Sequence, residues 1–188
     1  MEIFFSICLG IGLAAAAGFR VFLPLLALSL AAYFEVLDLT EGWAWLGSLQ
    51  TLILLGVASV FEILAYYIPW FDNALDTISI PLASFAGTIL FLVTLGDFEP
   101  WVSWSLAIIG GGGTAGLIAG STATVRAASS TTTLGFANPI FSTLEAIVST
   151  ILSILAIFIP ILAAFLVFYL GYRIIKWFKK RKLKQNIN

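Results

Sequence analysis

Polar positions are so sparse along this chain that they punctuate it, and the apolar runs between them predict its elements. Residues 3–37 are apolar apart from GFRVFLP at 18–24. Gly18, Arg20 and Pro24 lie too close together for one unbroken helix through lipid. A broken or re-entrant pair is expected instead, because irregular backbone at depth survives only beside protein or water. DLTEG at 38–42 reads as a turn, and 47–68 as a span that stops near Pro69. WFDNALD at 70–76 reads as a short polar interruption. A span over 78–95 follows, with Pro81 near its start, where proline is tolerated. DFEP at 97–100 connects the two halves, and Trp101 and Trp104 suit an interfacial aromatic belt. Residues 104–120 carry GGGG at 110–113, which allows close helix packing. STATVRAASSTTTLGFANP at 121–139 is too polar to face lipid. Residues 140–178 form a long apolar run that Pro160 divides into two helices of about 20 residues each, with Tyr169, Tyr172 and Trp177 anchoring its end.

Composition turns these runs into membrane spans. Of 188 residues 61% are hydrophobic and 10% charged, with a mean hydropathy of +1.07. A soluble surface needs about 25% charged residues, so lipid is the solvent for most of this chain. The length fits about six spans with short loops and leaves no room for a separate soluble domain. We expect an all-α polytopic membrane helix bundle: one membrane domain over 1–178 and a basic tail over 179–188.

Charge sets the expected orientation. Seven of the nine basic residues fall between Arg173 and Lys184, whereas Glu35, Asp38, Glu41, Asp97 and Glu99 occupy short connections. Basic segments stay cytoplasmic, so the tail is expected inside, with the chain in a cytoplasmic (bacterial inner) membrane and the tail near anionic headgroups. A basic run directly after a span is the ordinary topology signal, and nucleic acid is not an expected partner. Membrane lipids are, and homo-oligomerisation stays open. The absence of histidine excludes imidazole ligands and serine triads, and Cys8 stands alone. No cofactor or metal is expected. The N-terminus lacks a positive n-region, so residues 3–18 read as a retained segment rather than a signal peptide.

The same order of features occurs twice. GLAAAAGFR at 12–20 and GLIAGSTATVR at 116–126 each lead to an arginine, and LAYYIP at 64–69 matches LAIFIP at 155–160. This predicts two pseudo-repeats, about 3–96 and 104–178, each opening with a broken or re-entrant segment, as in many transporters.

Arg20 and Arg126 are the first candidates for chemistry. An arginine at mid-bilayer costs at least ~2.5–3.5 kcal/mol on insertion scales, so each should face protein, a ligand or water. Two guanidinium forks could hold an anionic group, with Ser121, Thr122, Thr124, Ser129, Ser130, Thr131 and Asn138 completing the site. Equally, each could pair with an internal carboxylate or snorkel to an interface. Glu62, Asp72, Asp76 and Glu145 are the candidate charge partners or coupling groups. Asp72 and Asp76 share one face if helical, and Asp72 is also a candidate N-cap. Asn138 before Pro139 reads as a cap or turn for the next helix.

GFRVFLPLLALSLAA, FEILAYYIPWFDNALDTI and TVRAA…ANPIFSTLEA together resemble the bacterial family called domain of unknown function 4126. Its pattern has Gly-x-Arg, then Glu with Pro seven residues on and two Asp four apart, here Arg20, Glu62, Pro69, Asp72 and Asp76. Later positions are Arg126, Asn138, Ser142 and Glu145. The chain departs from the pattern at Ala65–Tyr67, where a more polar pair is expected. The resemblance implies a membrane fold and a shared set of polar positions, with no activity attached. The sequence is thus expected to encode a small transporter or channel-like permease for an anionic solute or lipid headgroup. The alternatives are a non-transporting scaffold with a structural polar network and, third, a membrane-embedded lipid-modifying enzyme.

Overall fold

The computed structural model describes residues 2–96, 98–133 and 138–185, with the side chains of 69–74, 76, 130–133 and most positions after 173 left aside. It is helical, with no strand among the described residues. The helices are α1 (Glu2–Phe19), α2 (Phe22–Tyr33), α3 (Leu49–Ala65), α4 (Pro69–Thr94), α5 (Pro100–Leu106), α6 (Gly113–Thr133), α7 (Asn138–Phe158) and α8 (Pro160–Gln185). A 3₁₀ turn, Glu41–Gly47, precedes α3, and a π segment, Ala107–Gly112, joins α5 to α6.

Among the described residues three stretches are long and apolar enough to cross a membrane: Thr77–Thr94, Pro100–Ser129 and Asn138–Phe158. A fourth follows if the 3₁₀ turn and α3, bent by 59°, count as one span. Ile3–Phe19, Phe22–Tyr33 and Pro160–Arg173 are apolar but shorter. The chain is a membrane protein.

Several boundaries differ from the sequence reading. The polar stretch at 70–76 is helical and forms the first turns of α4, with Pro69 at its N-terminus and Pro81 inside it. Asp72 therefore lies within the helix, and Ile68 is the N-cap. A proline at the first helical position has a pre-set φ and no N–H to satisfy, so Pro69 starts the helix where the sequence suggested only a stop. Residues 121–133 likewise continue α6. Arg126 sits in unbroken helix while the chain breaks at Arg20, so the two halves do not open alike.

The break at Arg20 has an identifiable cause. Pro24 lacks an N–H, and its ring would collide with the carbonyl four residues back, that of Arg20. The Arg20 N–H still reaches Ala16 O at 3.1 Å, the last turn of α1, and a new helix starts at Phe22. Neighbouring contacts give the direction of each segment. Ser149 on α7 donates to Ala16 O, and a Cβ on Gly12 would sit 2.7 Å from Ala156 Cβ. So α1 runs antiparallel to α7, and Arg20 meets the start of α7. The end of α2, by contrast, lies beside Ile154 and Phe158 at the end of α7. The chain reverses at Arg20.

Small residues let α1 occupy the centre, packed against α4, α6, α7 and α8. Ala14, Ala15, Ala16 and Ala17 are buried, and a Cβ at Gly18 would meet Ile118 Cβ at 2.6 Å and Ala115 O at 2.7 Å. Gly111 in the π segment presses its backbone against Gly87 of α4 in the same way. Without a hydrophobic drive between helices in lipid, such close backbone approach and interhelical hydrogen bonds supply the cohesion. Large apolar side chains such as Leu54, Phe61, Ile109, Leu117 and Phe165 point outward.

At the end of α2, Glu35 has φ 56° and the Val36 N–H returns to Ala31 O at 2.8 Å. This left-handed closing position favours glycine, since a Cβ there costs about 1–2 kcal/mol. Glu35→Gly should therefore stabilise the fold by about 0.5–1 kcal/mol, read as a raised thermal midpoint in detergent. An unchanged or lowered midpoint would show that the Glu35 side chain contributes more than the strain costs.

Candidate functional site

The break at Arg20 leaves backbone donors that something must satisfy. In a continuous helix the N–H groups of Val21 and Phe22 would reach the carbonyls of Ala17 and Gly18. Instead both bond the Glu62 carboxylate, Val21 N to Oε1 at 2.7 Å and Phe22 N to Oε2 at 3.0 Å. Glu62 reaches them because α3 runs antiparallel to α2: Ser29 Oγ donates to Leu46 O at one end, and Glu62 meets Val21 at the other. A carboxylate at a helix N-terminus also meets the positive end of the helix dipole.

Helix α7 presents a buried polar stripe to the centre. Asn138, Ser142, Glu145, Ser149 and Ser153 recur at helical spacing and are all buried, while Leu144, Ile147, Ile151 and Ile154 face outward. Arg20, 1% exposed, enters this stripe. Its Nη2 donates to Ser142 Oγ at 2.6 Å and Ser142 O at 2.9 Å, with Glu145 Oε2 at 3.5 Å. Arg126 approaches from α6, its Nη2 2.8 Å from the same Glu145 oxygen. Both guanidinium groups also lie over the ring of buried Tyr66, Cζ to centroid 3.8 Å for Arg20 and 4.3 Å for Arg126. Two buried arginines thus share one carboxylate and one aromatic face. The Arg20 Nε and Nη1 atoms are buried without a hydrogen-bond partner.

At the periphery the Thr143 hydroxyl donates to Pro139 O at 2.8 Å, so Tyr67 donates to Thr143 Oγ1, also at 2.8 Å. This bond ties α3 to α7 on the exposed side of the cluster.

The structure brings together Arg20, Arg126, Glu62 and Glu145 of the residues singled out in the sequence. Ser129 is buried on the Arg126 helix, and Asn138 is buried at the start of α7. Other hydroxyls turn away. Ser121 donates to Leu117 O, Thr122 to Ala119 O and Thr124 to Gly120 O, each bonded within its own helix. Ser130 and Thr131 lie in the last turns of α6, and Asp72 and Asp76 in the first turns of α4, with side chains outside the described residues. Sequence reading missed Tyr66, the C-cap of α3, one helical turn beyond Glu62. It also missed Ser149 and the serine periodicity of α7, which was available at spacings of three and four. No group of three or more metal-ligating side chains occurs among the described residues.

The chain is thus a helical membrane protein that carries a buried arginine pair, a bridging glutamate and a helix-capping glutamate. The chain belongs to the family described as Domain of unknown function (DUF4126), whose sequence profile matches residues 7–180. No curated protein and no solved structure matches it.

Proposed function

We propose that this protein is a small integral membrane permease whose polar cluster binds an anionic group, a carboxylate or phosphate, at Arg20. The observation that carries this reading is the buried Arg20 guanidinium, with Nε and Nη1 lacking partners. A buried donor left unsatisfied costs about 1–3 kcal/mol, more when charged, and an anionic oxygen would recover that. Helix irregularities support the same reading. The break at Val21, Pro81 within α4 and the π segment beside Gly87 all lie in helices packed on α1, and discontinuous helices mark substrate sites in transporters.

In this reading α1 and α2 form a re-entrant hairpin with Arg20 at its tip. The basic tail ends at the face where α7 begins, because α8 folds back along α7 after Ile159. That face is cytoplasmic and the membrane is the inner one. The connections at the other face carry Glu35, Asp38, Glu41 and Glu99 and no basic residue.

The test is thermal unfolding of the protein in phosphatidylcholine nanodiscs at matched ionic strength, with phosphate, sulfate or acetate replacing chloride. At least one oxyanion should raise the midpoint by several degrees, as ligand at about 100 Kd adds about 2.7 kcal/mol. That gain should vanish in Arg20→Gln. If no oxyanion stabilises the wild type, the second reading stands: a non-transporting scaffold. The observation favouring it is Glu145 itself, whose oxygen joins the arginines of α1 and α6 on α7.

A further inference from the structure

We infer that the anionic group bound at Arg20 is the head of an amphiphile, and that its hydrocarbon chain lies in the apolar groove between α2 and α7. This rests on the anion reading above and specifies the ligand. The groove, about 210 Å³, is lined by Ala27, Leu30, Ala31 and Phe34 of α2 and by Ile154 and Phe158 of α7, among others. These are the same two helices whose starts flank the guanidinium. Arg20 immediately precedes α2 and bonds Ser142 in the second turn of α7. From that level both helices run the same way to the groove. At 1.5 Å rise per residue, the groove lies roughly 10–20 Å from Arg20 along α2, and roughly 13–20 Å from Glu145 along α7. The two routes agree, and the distance suits a chain of ordinary lipid length.

The sense of this arrangement is also that of a lipid. Glu145 lies roughly 10 Å along α7 from Asn138, so the charged cluster sits nearer the basic-tail face than the opposite one. A lipid in the leaflet on that side points its head toward that face and its chains toward the bilayer centre. Seated at Arg20 it would keep this orientation, drawn inward by about two helical turns, with its chain reaching the groove. A water-soluble anion would make no use of the groove. Polar selection at one end and an apolar slot at the other match one molecule carrying both.

The experiment uses a dodecyl phosphate with a photoactivatable diazirine at the far end of its chain, added to the protein in phosphatidylcholine nanodiscs. Cross-links should map to peptides containing Leu30–Phe34 or Ile154–Phe158, and unlabelled dodecyl phosphate should compete. Arg20→Gln should reduce them at least tenfold, with Arg20→Lys intermediate as a variant that keeps the charge. Ala31→Phe, which fills the groove, should reduce them while leaving stabilisation by inorganic phosphate intact. Groove labelling equal in wild type, Arg20→Gln and Arg20→Lys would mean that bulk lipid chains fill the slot, and would overturn the inference. Persistent stabilisation by inorganic phosphate would then leave the anion reading standing, and its loss would remove both.

Discussion

Glu145→Ala is expected to destabilise the protein by about 3–5 kcal/mol, the cost of removing one partner from a buried ion pair and leaving the other charge uncompensated. Here one carboxylate serves two arginines, at 2.8 Å and 3.5 Å. The effect should stand at the top of that range. Glu145→Gln keeps shape and an acceptor but not the charge, and should recover only part of the loss. The double variant Glu145→Gln with Arg126→Gln should recover more, because it removes a charge of each sign. Reversible unfolding in detergent or a bilayer-based unfolding assay reads all three. Equal stability of Glu145→Ala and wild type would mean that the arginines find other partners, and that the bridging carboxylate is not what joins α1, α6 and α7.

The second large effect lies at Glu62. Glu62→Ala leaves the N–H groups of Val21 and Phe22 unsatisfied beside lipid and protein, at about 1–3 kcal/mol each. Arg20 directly precedes these N–H groups, so loosening them should also weaken anion binding, with Glu62 acting through the backbone. Glu62→Gln offers one acceptor where two were used and should fall between. Stability measures the first consequence and the oxyanion-induced midpoint shift measures the second. Loss of stability with an undiminished shift would mean that Glu62 only caps the helix and does not position Arg20.

Much of this arrangement was legible in the sequence because lipid makes polar residues expensive. Arg20 and Arg126 could not be left facing hydrocarbon, and Glu145, which meets both, was one of four carboxylates open as a partner. The break was legible too, since Gly18, Arg20 and Pro24 fall within seven residues, although the direction α2 takes after it was not. What the sequence hid follows from physics of a different kind. WFDNALD looked like an interruption because its residues are polar, yet Pro69 at a first helical position makes it the start of α4. The hydroxyls of α6 looked like site groups because they are numerous. Within a helix a serine or threonine can bond its own preceding turn, and Ser121, Thr122 and Thr124 do so, without needing to face inward. Tyr66 was read as a departure from the family pattern. Its ring instead provides the face over which both guanidinium groups sit, a cation–π contact that residue type alone does not announce. The likeness between the halves was carried by apolar strings, and apolar strings do not encode whether a helix breaks: Arg20 follows one that does, Arg126 lies in one that does not.

If Arg20 takes an anion, its buried cluster must open to one side of the membrane. A cysteine placed at Ser142, the hydroxyl bonded to Arg20, in a Cys8→Ser background reads that opening. Oriented vesicles are treated with a membrane-impermeant anionic thiol reagent from one side or the other. Labelling is expected from the side of the basic tail and not from the opposite side, slowed by phosphate or dodecyl phosphate. A folded Ser142→Cys variant protected from both sides would contradict anion binding at Arg20, and would make the cluster a dry cross-link between helices.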